Sequence, residues 1–209
     1  MLFFYLTFLF FYVIIFLFWR CVIFCFDVET LSTGQDAIIL SAAILWFDEK
    51  KEYSYQNLLD NTLFVKFNAK EQKQKYNRKV DKNTIEWWNK QCEAVKKISL
   101  YPMETDLSLS DGFYLIRDYI KKHTIGSEVV WTRGSLDQFV VDDVCKNSLK
   151  IDLLFNYSQY MDMRTAINLL KTTAKGGYCS VSDLDLNLIY KHDPKHDVCF
   201  DVAMLLYGV

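Results

Sequence analysis

The stretch from Cys21 to Glu29 reads CVIFCFDVE, a run of apolar residues that ends on two carboxylates. Short runs rich in β-branched and aromatic residues are typical of buried β-strands. Residues two apart on a strand point to the same face, so Asp27 and Glu29 can share one site. Carboxylates in a hydrophobic strand are costly unless a cation meets them, although a D-x-E pattern can also be a solvated strand end. The stretch therefore predicts a buried strand with an acidic site at its end.

Two more strands are predicted directly after this one. Ala37 to Phe47 reads AIILSAAILWF, and Thr62 to Phe67 reads TLFVKF. The connections between the strands contain Gly34 and the charged residues 48–51, which favour turns. We therefore expect the first three strands to form an antiparallel meander.

Helices and strands alternate in the remainder of the chain. Asp81 is a suitable N-cap for a helix whose apolar residues recur at helical spacing up to Val95. This pattern alone predicts an α/β or α+β domain. The other predicted elements are a helix from Ser110 or Asp111 to about His123, a strand from Glu128 to Thr132, a helix from Leu136 to Cys145, a strand from Tyr157 to Asp162 and a helix from about His196 to Tyr207.

The bulk composition favours a single folded domain. The chain has 209 residues, of which 51% are hydrophobic and 24% are charged. A chain of this length and apolar content can form one core. The net charge of −2 gives no sign of a nucleic-acid partner, but the stretch from Lys66 to Lys97 holds ten Lys or Arg against four Asp or Glu. A basic face of this kind can bind a nucleic-acid backbone, although most charge runs are only solvated surface.

The six cysteines form no CxxC pair, and no Cys/His group has zinc-finger spacing. A chain with a core of this size has no need of a disulfide framework. We therefore expect free thiols in a reducing compartment, which favours the cytoplasm.

An uncharged apolar segment precedes the predicted domain. Residues 2–19 read LFFYLTFLFFYVIIFLFW, and Arg20 ends the run. A segment of this length can span a membrane as a helix, with the domain on the cytoplasmic side. Alternatively, AT-rich DNA upstream of the true gene encodes such residues, although the next methionine, Met103, lies beyond Asp27. The sequence leaves both interpretations open. We expect residues 1–19 to be an appendage and residues 20–209 to be the functional domain.

A second acidic position follows the predicted strand at Glu128 to Thr132. Residues 131–137 read WTRGSLD, so a strand ends, a glycine turn follows and Asp137 lies in the first turn of a helix. On its own, the simpler interpretation of Asp137 is an acid that the helix dipole favours.

A third acidic position opens the last predicted helix. Residues 196–201 read HDVCFD, an H-x4-D pattern, and His192 with Asp197 has the same spacing. A histidine titrates near neutral pH and can remove a proton from a water nucleophile. Residues five apart differ by about 140° on a helix, so both can border one cleft only near the helix end. Taken alone, either residue can also be ordinary surface.

The three acidic motifs in this order resemble the DEDDh branch of the DnaQ-like 3'→5' exonucleases. They are FDVET at 26–30, RGSLDQF at 133–139 and HDVCFD at 196–201. The similarity extends over most of residues 22–207 and is closest to a short-chain subgroup from phages and bacteria. It implies a ribonuclease-H-like α/β fold, in which a mixed sheet of three antiparallel strands followed by alternating helices and strands is flanked by helices.

The resemblance also implies a catalytic set and a cofactor. Two-metal phosphodiester hydrolysis needs converging carboxylates, and Mg²⁺ prefers hard oxygen ligands. We prefer His196 with Asp201 over His192 with Asp197, because family members often read HD-x3-D here and Asp201 lies inside the predicted helix. The implied ligands of two Mg²⁺ or Mn²⁺ ions are Asp27, Glu29, Asp137 and Asp201, and the implied general base is His196.

The expected activity is hydrolysis from the 3' end of single-stranded DNA or RNA, with release of nucleoside 5'-monophosphates. The choice between RNA and DNA stays open, because it needs a contact to the 2'-OH that no motif reveals. The alternative is a catalytically inactive nucleic-acid-binding or scaffold protein with the same fold. A binding module has no use for clustered carboxylates beside phosphate, which argues against this alternative. The oligomeric state is left open, with a homodimer as one alternative.

Three further residues are candidates for nucleic-acid binding. The subgroup tends to show a T-x-x-W-W-x-x-Q helix, here residues 84–91, and a D-x-R-T segment, here residues 162–165. Trp87 and its neighbour Trp88 differ by about 100° on a helix, so they cannot both face the core. A nucleic-acid base can stack on the outward ring, although a structural tryptophan is the simpler alternative. The candidates are Trp87, Gln91 and Arg133, the last of which can reach phosphate or form an ordinary surface ion pair.

Overall fold

The computed structural model describes residues 22–124, 128–182, 184–186 and 189–209. The apolar segment at residues 1–19 lies outside the described residues, so its two interpretations stay predictions. Among the helices that are described, none is long and apolar enough to cross a membrane. The cysteines of the described ranges are free thiols.

A five-stranded mixed sheet forms the centre of the structure. The strands are β1 Val22–Thr30, β2 Ile39–Phe47, β3 Thr62–Lys66, β4 Glu128–Thr132 and β5 Tyr160–Asp162. They lie in the order β3-β2-β1-β4-β5. β1 pairs antiparallel with β2, and β2 pairs antiparallel with β3. β4 runs parallel to β1, and β5 runs parallel to β4. The predicted antiparallel meander followed by alternating helices and strands is therefore confirmed.

Helices cover both faces of the sheet. The α-helices are α1 Tyr55–Asn61, α2 Ala69–Tyr76, α3 Lys82–Asn89, α4 Glu93–Val95, α5 Leu109–His123, α6 Leu136–Asp143, α7 Met163–Leu170 and α8 Pro194–Tyr207. A turn of π-helix at Lys96–Leu100 follows α4, a second at Val144–Leu149 follows α6, and a 3₁₀ turn at Tyr157–Gln159 precedes β5.

The prediction missed three short helices and misplaced several boundaries. α1, α2 and α7 were not predicted, because each has only about two turns, too few for apolar residues to repeat at helical spacing. The predicted helix up to Val95 is interrupted after Asn89, and the predicted strand at Tyr157 begins as a 3₁₀ turn. The last helix begins at Pro194 rather than His196, since Asp193 caps it and proline suits the first turn.

The alternation of side chains on β1 divides the core and aims the acidic residues. Phe24, Phe26 and Val28 lie in a cluster with residues of α5 and α6. Ile23 and Cys25 lie in a second cluster with residues of α7 and α8. Because side chains alternate across a strand, Asp27 and Glu29 continue the second row and point toward α8.

Candidate active site

Carboxylates from three distant parts of the chain meet at the end of β1. Asp27 and Glu29 come from β1, and Asp137 opens α6. Asp137 is only 5% exposed, and its Oδ1 accepts a hydrogen bond of 3.3 Å from the backbone N–H of Val28. Asp197 approaches from α8, where ligand atoms of Glu29, His192 and Asp197 all lie within 4.8 Å of one another.

The carboxylates of this cluster are buried and repel one another, so a cation would stabilise their charged forms. Burial raises the pKa of Asp27 well above its usual range, and the nearby charges of Asp137 and Glu29 raise it further. Burial, reinforced by neighbouring carboxylates, also raises the pKa of Asp137 and of Asp197 to about 7. Within the described ranges, Oδ2 of Asp27 is buried and has no hydrogen-bond partner. Carboxylate oxygens are the ligands that divalent cations such as Mg²⁺ prefer. A bound cation would also reduce the repulsion between these groups.

His192 lies at this cluster, on the loop before α8. Its Nδ1 is 3.7 Å from Oε1 of Glu29, and its backbone N–H donates to Oδ2 of Asp197 at 2.9 Å. The nearby carboxylate of Glu29 raises the pKa of His192, although burial opposes the rise. Its φ of 67° lies in the left-handed region, which is costly for a residue with a Cβ. Such strain is commonly held at functional sites, and here Asp197 helps to hold it.

His196 has a different set of neighbours. Its Nδ1 lies 3.2 Å from the hydroxyl of Tyr55, and the Tyr190 ring packs edge-on against it at 5.6 Å. Its Nε2 lies 4.0 Å from Asp193. Adjacent helical residues differ by about 100°, so α8 directs His196 away from the direction of Asp197. The described structure does not place His196 in the carboxylate cluster, and the sequence-based preference for it over His192 is not supported by this geometry.

The carboxylate of Asp201 is bound by the guanidinium of Arg133. The Nε of Arg133 donates to its two oxygens at 2.7 and 2.9 Å, and Nη2 lies 2.7 Å from Oδ1. The two side chains are 13% and 8% exposed. Arg133 therefore forms a buried ion pair rather than the surface ion pair that was the alternative, and its contact with phosphate stays a prediction.

The paired tryptophans separate as the sequence predicted. Trp88 is fully buried, and its Nε1 donates to the carbonyl of Thr30 at 2.9 Å. Trp87 is 38% exposed, and its ring meets His192 edge-on at 4.6 Å between centroids. Gln91 donates from Nε2 to the carbonyl of Trp87 at 3.1 Å. Trp87 thus lies beside the carboxylate cluster through its contact with His192, and Gln91 bonds to the backbone of Trp87.

The D-x-R-T segment supports the turn that carries Asp137. Gly134 has a φ of 82°, which a glycine adopts without strain. Its N–H donates to Oδ2 of Asp162 at 2.9 Å. Asp162 also caps α7 by accepting from the N–H of Thr165 at 2.7 Å. The sequence contained the segment but not this role, which depends on β4 and β5 being neighbours.

Comparison with known proteins identifies related exonucleases over most of the chain. The family model of the 3'-5' exoribonuclease Rv2179c-like domain matches residues 23–197. An exodeoxyribonuclease of Enterobacteria phage T4 is 28% identical over 204 residues, which cover 89% of this chain and 88% of the phage protein.

Solved structures show the same fold at low sequence identity. The nuclease domain of 3'hExo, a DEDDh family member bound to rAMP, matches with a TM-score of 0.57 and 11% identity over 90% of each chain. Exonuclease I, determined with the inhibitor CFAM, matches with a TM-score of 0.53 and 11% identity over 90% of this chain and 41% of that chain. The predicted ribonuclease-H-like sheet is therefore confirmed.

Proposed function

We propose a substrate and a set of catalytic roles from one premise: the chain belongs to the 3'-5' exoribonuclease Rv2179c-like domain family, and it is a 3'→5' exonuclease of the DEDDh type. It hydrolyses single-stranded nucleic acid from the 3' end and releases nucleoside 5'-monophosphates. The observation that carries this proposal is the meeting of four carboxylates and a histidine, namely Asp27, Glu29, Asp137, Asp197 and His192.

The four carboxylates are the proposed ligands of two divalent ions, Mg²⁺ or Mn²⁺. The buried, unpartnered oxygen of Asp27 and the mutual repulsion of the four groups support this assignment. Bound there, divalent ions would activate a water nucleophile and stabilise the charge that develops on the phosphate and the leaving oxygen. Asp197 takes the role that the sequence assigned to Asp201, because Arg133 already satisfies Asp201.

His192 is the proposed general base. Glu29 faces Nδ1 and favours a proton there, which leaves Nε2 as the acceptor for the proton of the attacking water. The hydrogen bond from the His192 N–H to Asp197 holds the loop while the proton moves. Neutral histidine accepts a proton readily near neutral pH, so this group suits the task.

Trp87 and Gln91 form the proposed wall for the terminal nucleotide. The ring of Trp87 contacts the proposed base and is partly exposed, so a nucleobase stacked on it would lie next to the reacting phosphate. Base stacking tolerates either sugar. The proposed substrates therefore include both RNA and DNA, in keeping with the names of the family and of the phage T4 relative.

Parallel digestion of labelled strands tests the proposal. The full chain is given 5'-labelled single-stranded RNA and DNA with Mg²⁺, and the products are separated on gels and by chromatography. We expect ladders that shorten from the 3' end, nucleoside 5'-monophosphates as products, and no cleavage in EDTA. Asp27→Asn is the inactive control, and its melting curve verifies the fold. A protein that binds the strands without shortening them would instead be the inactive nucleic-acid-binding alternative.

A further inference from the structure

Arg133 and Asp201 form a buried ion pair that touches three segments of the fold. The guanidinium makes three short contacts with the carboxylate, of 2.7, 2.7 and 2.9 Å. Its Nη2 also donates to the carbonyl of Gly177 at 3.0 Å, and its Cζ lies 4.0 Å above the Tyr178 ring. Arginine suits this place, because a planar fork can bind a carboxylate and stack on an aromatic ring at once.

The pair joins the two elements that carry distant ligands. Arg133 follows β4 and lies in the turn that leads to Asp137. Asp201 lies one turn after Asp197 on α8, and residues four apart differ by only about 40° on a helix. The ion pair therefore holds the start of α6 and the ligand face of α8 at a fixed separation.

The loop that contains Gly176 and Gly177 also contacts the guanidinium of Arg133. Gly177 has a φ of 79°, and a Cβ at this position would lie 2.7 Å from the Cβ of Arg164. Its N–H donates to the side chain of Asn168 in α7 at 2.8 Å. Because this loop packs tightly on α7, the carbonyl of Gly177 holds a fixed position against the guanidinium of Arg133.

The pair also neutralises a charge at the edge of the cluster. Asp201 lies one helical turn from Asp197, so its carboxylate adds a further negative charge beside the proposed ligands. Removing one member of a buried pair leaves an uncompensated charge, whereas replacing both members is often tolerated. The loss of Arg133 alone would therefore disturb the site more than the loss of both charges.

We propose that Arg133 and Asp201 are a positioning pair, which sets the separation of Asp137 and Asp197 and contributes no metal ligand. This inference rests on the proposed function, since it concerns the same site. It excludes Asp201 from the ligand set and gives Arg133 a task inside the protein rather than on the substrate.

A double-substitution cycle tests the pair. Arg133→Gln and Asp201→Asn are made singly and together, because Gln and Asn can form a neutral hydrogen bond. We expect each single variant to lose about 10- to 100-fold in kcat, since small displacements of a catalytic group have effects of this size. The double variant is expected to regain at least about tenfold over the weaker single variant, because contacting residues couple. Activity is measured well below each variant's melting temperature.

Matched controls keep the outcomes distinct. Adding Arg133→Gln to the Asp197→Asn variant should not restore its kcat, because Asp197 is a proposed metal ligand. The rise in melting temperature on adding Mg²⁺ gives a readout independent of turnover, and it should persist in the double variant. The inference is overturned when the parent is active and the kcat of the double variant is no higher than that of Asp201→Asn. It is also overturned when the single variants keep the parental kcat and only their melting temperatures fall. An inactive parent would count against the proposed function instead, and the Mg²⁺ melting data would still decide whether Asp201 is a ligand.

Discussion

Two pairs of residues share one spacing on this chain but occupy different surroundings. His192 and Asp197 lie with Glu29 at the carboxylate cluster. His196 and Asp201 are divided between Tyr55 on one side and Arg133 on the other. The comparison teaches that an H-x4-D spacing does not itself define a site. What matters is where the helix begins relative to the histidine.

The difference follows from the start of α8. His192 precedes the helix, so its side chain is free of helical geometry and can fold back over Glu29. His196 lies inside the first turn and is held about 140° from Asp201. A pair within one helix therefore splits, whereas a pair that straddles the helix start converges.

The largest expected effect separates the two aspartates. Asp197→Asn should lower kcat by about 10³-fold or more, because a metal ligand stabilises the transition state by several kcal/mol. The kcat of Asp201→Asn should fall much less, since Arg133 can still donate a hydrogen bond to the amide oxygen. Initial rates on labelled single strands at saturating Mg²⁺ measure both. Equal inactivation of the two variants would contradict the comparison.

The next effect separates the two histidines. His192→Ala should lower kcat by about 10²–10⁴-fold, the usual range for loss of a general base. His196→Ala should stay within a few-fold of the parent, because its recorded contacts are with Tyr55, Tyr190 and Asp193. Profiles of kcat against pH provide the second measurement: the acidic limb should vanish in His192→Ala only. A crippled His196→Ala with an active His192→Ala would reverse the assignment.

Metal should stabilise the fold in a pH-dependent way. The pKa values of Asp137 and Asp197 are about 7 in the fold, above an unfolded value of about 3.9. Between these limits the folded state binds more protons than the unfolded state, so without metal its stability falls as pH rises from about 4 to 7. Mg²⁺ replaces those protons. Its effect on the melting temperature should therefore be larger at pH 8 than at pH 5.

At a concentration of about 100 times its Kd, Mg²⁺ should raise the melting temperature by roughly 5–10 °C at the higher pH. Thermal melts of the parent at both pH values measure this. Asp197→Asn should lose most of the rise, and Asp201→Asn paired with Arg133→Gln should keep it. A rise that is larger at pH 5 would contradict the role of the carboxylates.

The smallest expected effect concerns the neighbour of His192. Trp87→Ala should raise KM by about tenfold, since stacking contributes about 1–3 kcal/mol per base. Trp87→Phe keeps an aromatic face and is the matched control, with a KM near that of the parent. The kcat of both variants should change less than that of His192→Ala. Steady-state kinetics on a short oligonucleotide distinguish the two parameters, and an unchanged KM in Trp87→Ala would remove Trp87 from the proposed wall.

The amino-acid sequence by itself determined the centre of the sheet and two of the four residues of the carboxylate cluster. The run from Cys21 to Glu29 predicted β1, and the period of two along it placed Asp27 and Glu29 on one face. The glycine turn before Asp137 and the outward position of Trp87 were also readable, because each depends on contacts within a few residues.

Only the tertiary structure shows the surroundings of the last motif. The sequence contains both H-x4-D pairs, and the proposed choice between them depends on the Asp193 cap that begins α8 at Pro194. It also depends on partners far along the chain: Arg133 pairs with a residue 68 positions away, and Glu29 faces His192 across the site. Local patterns report backbone preferences, but the neutralisation of a buried charge depends on which elements the fold brings together. That is why Asp201 resembled a ligand in the sequence and lies against an arginine in the structure.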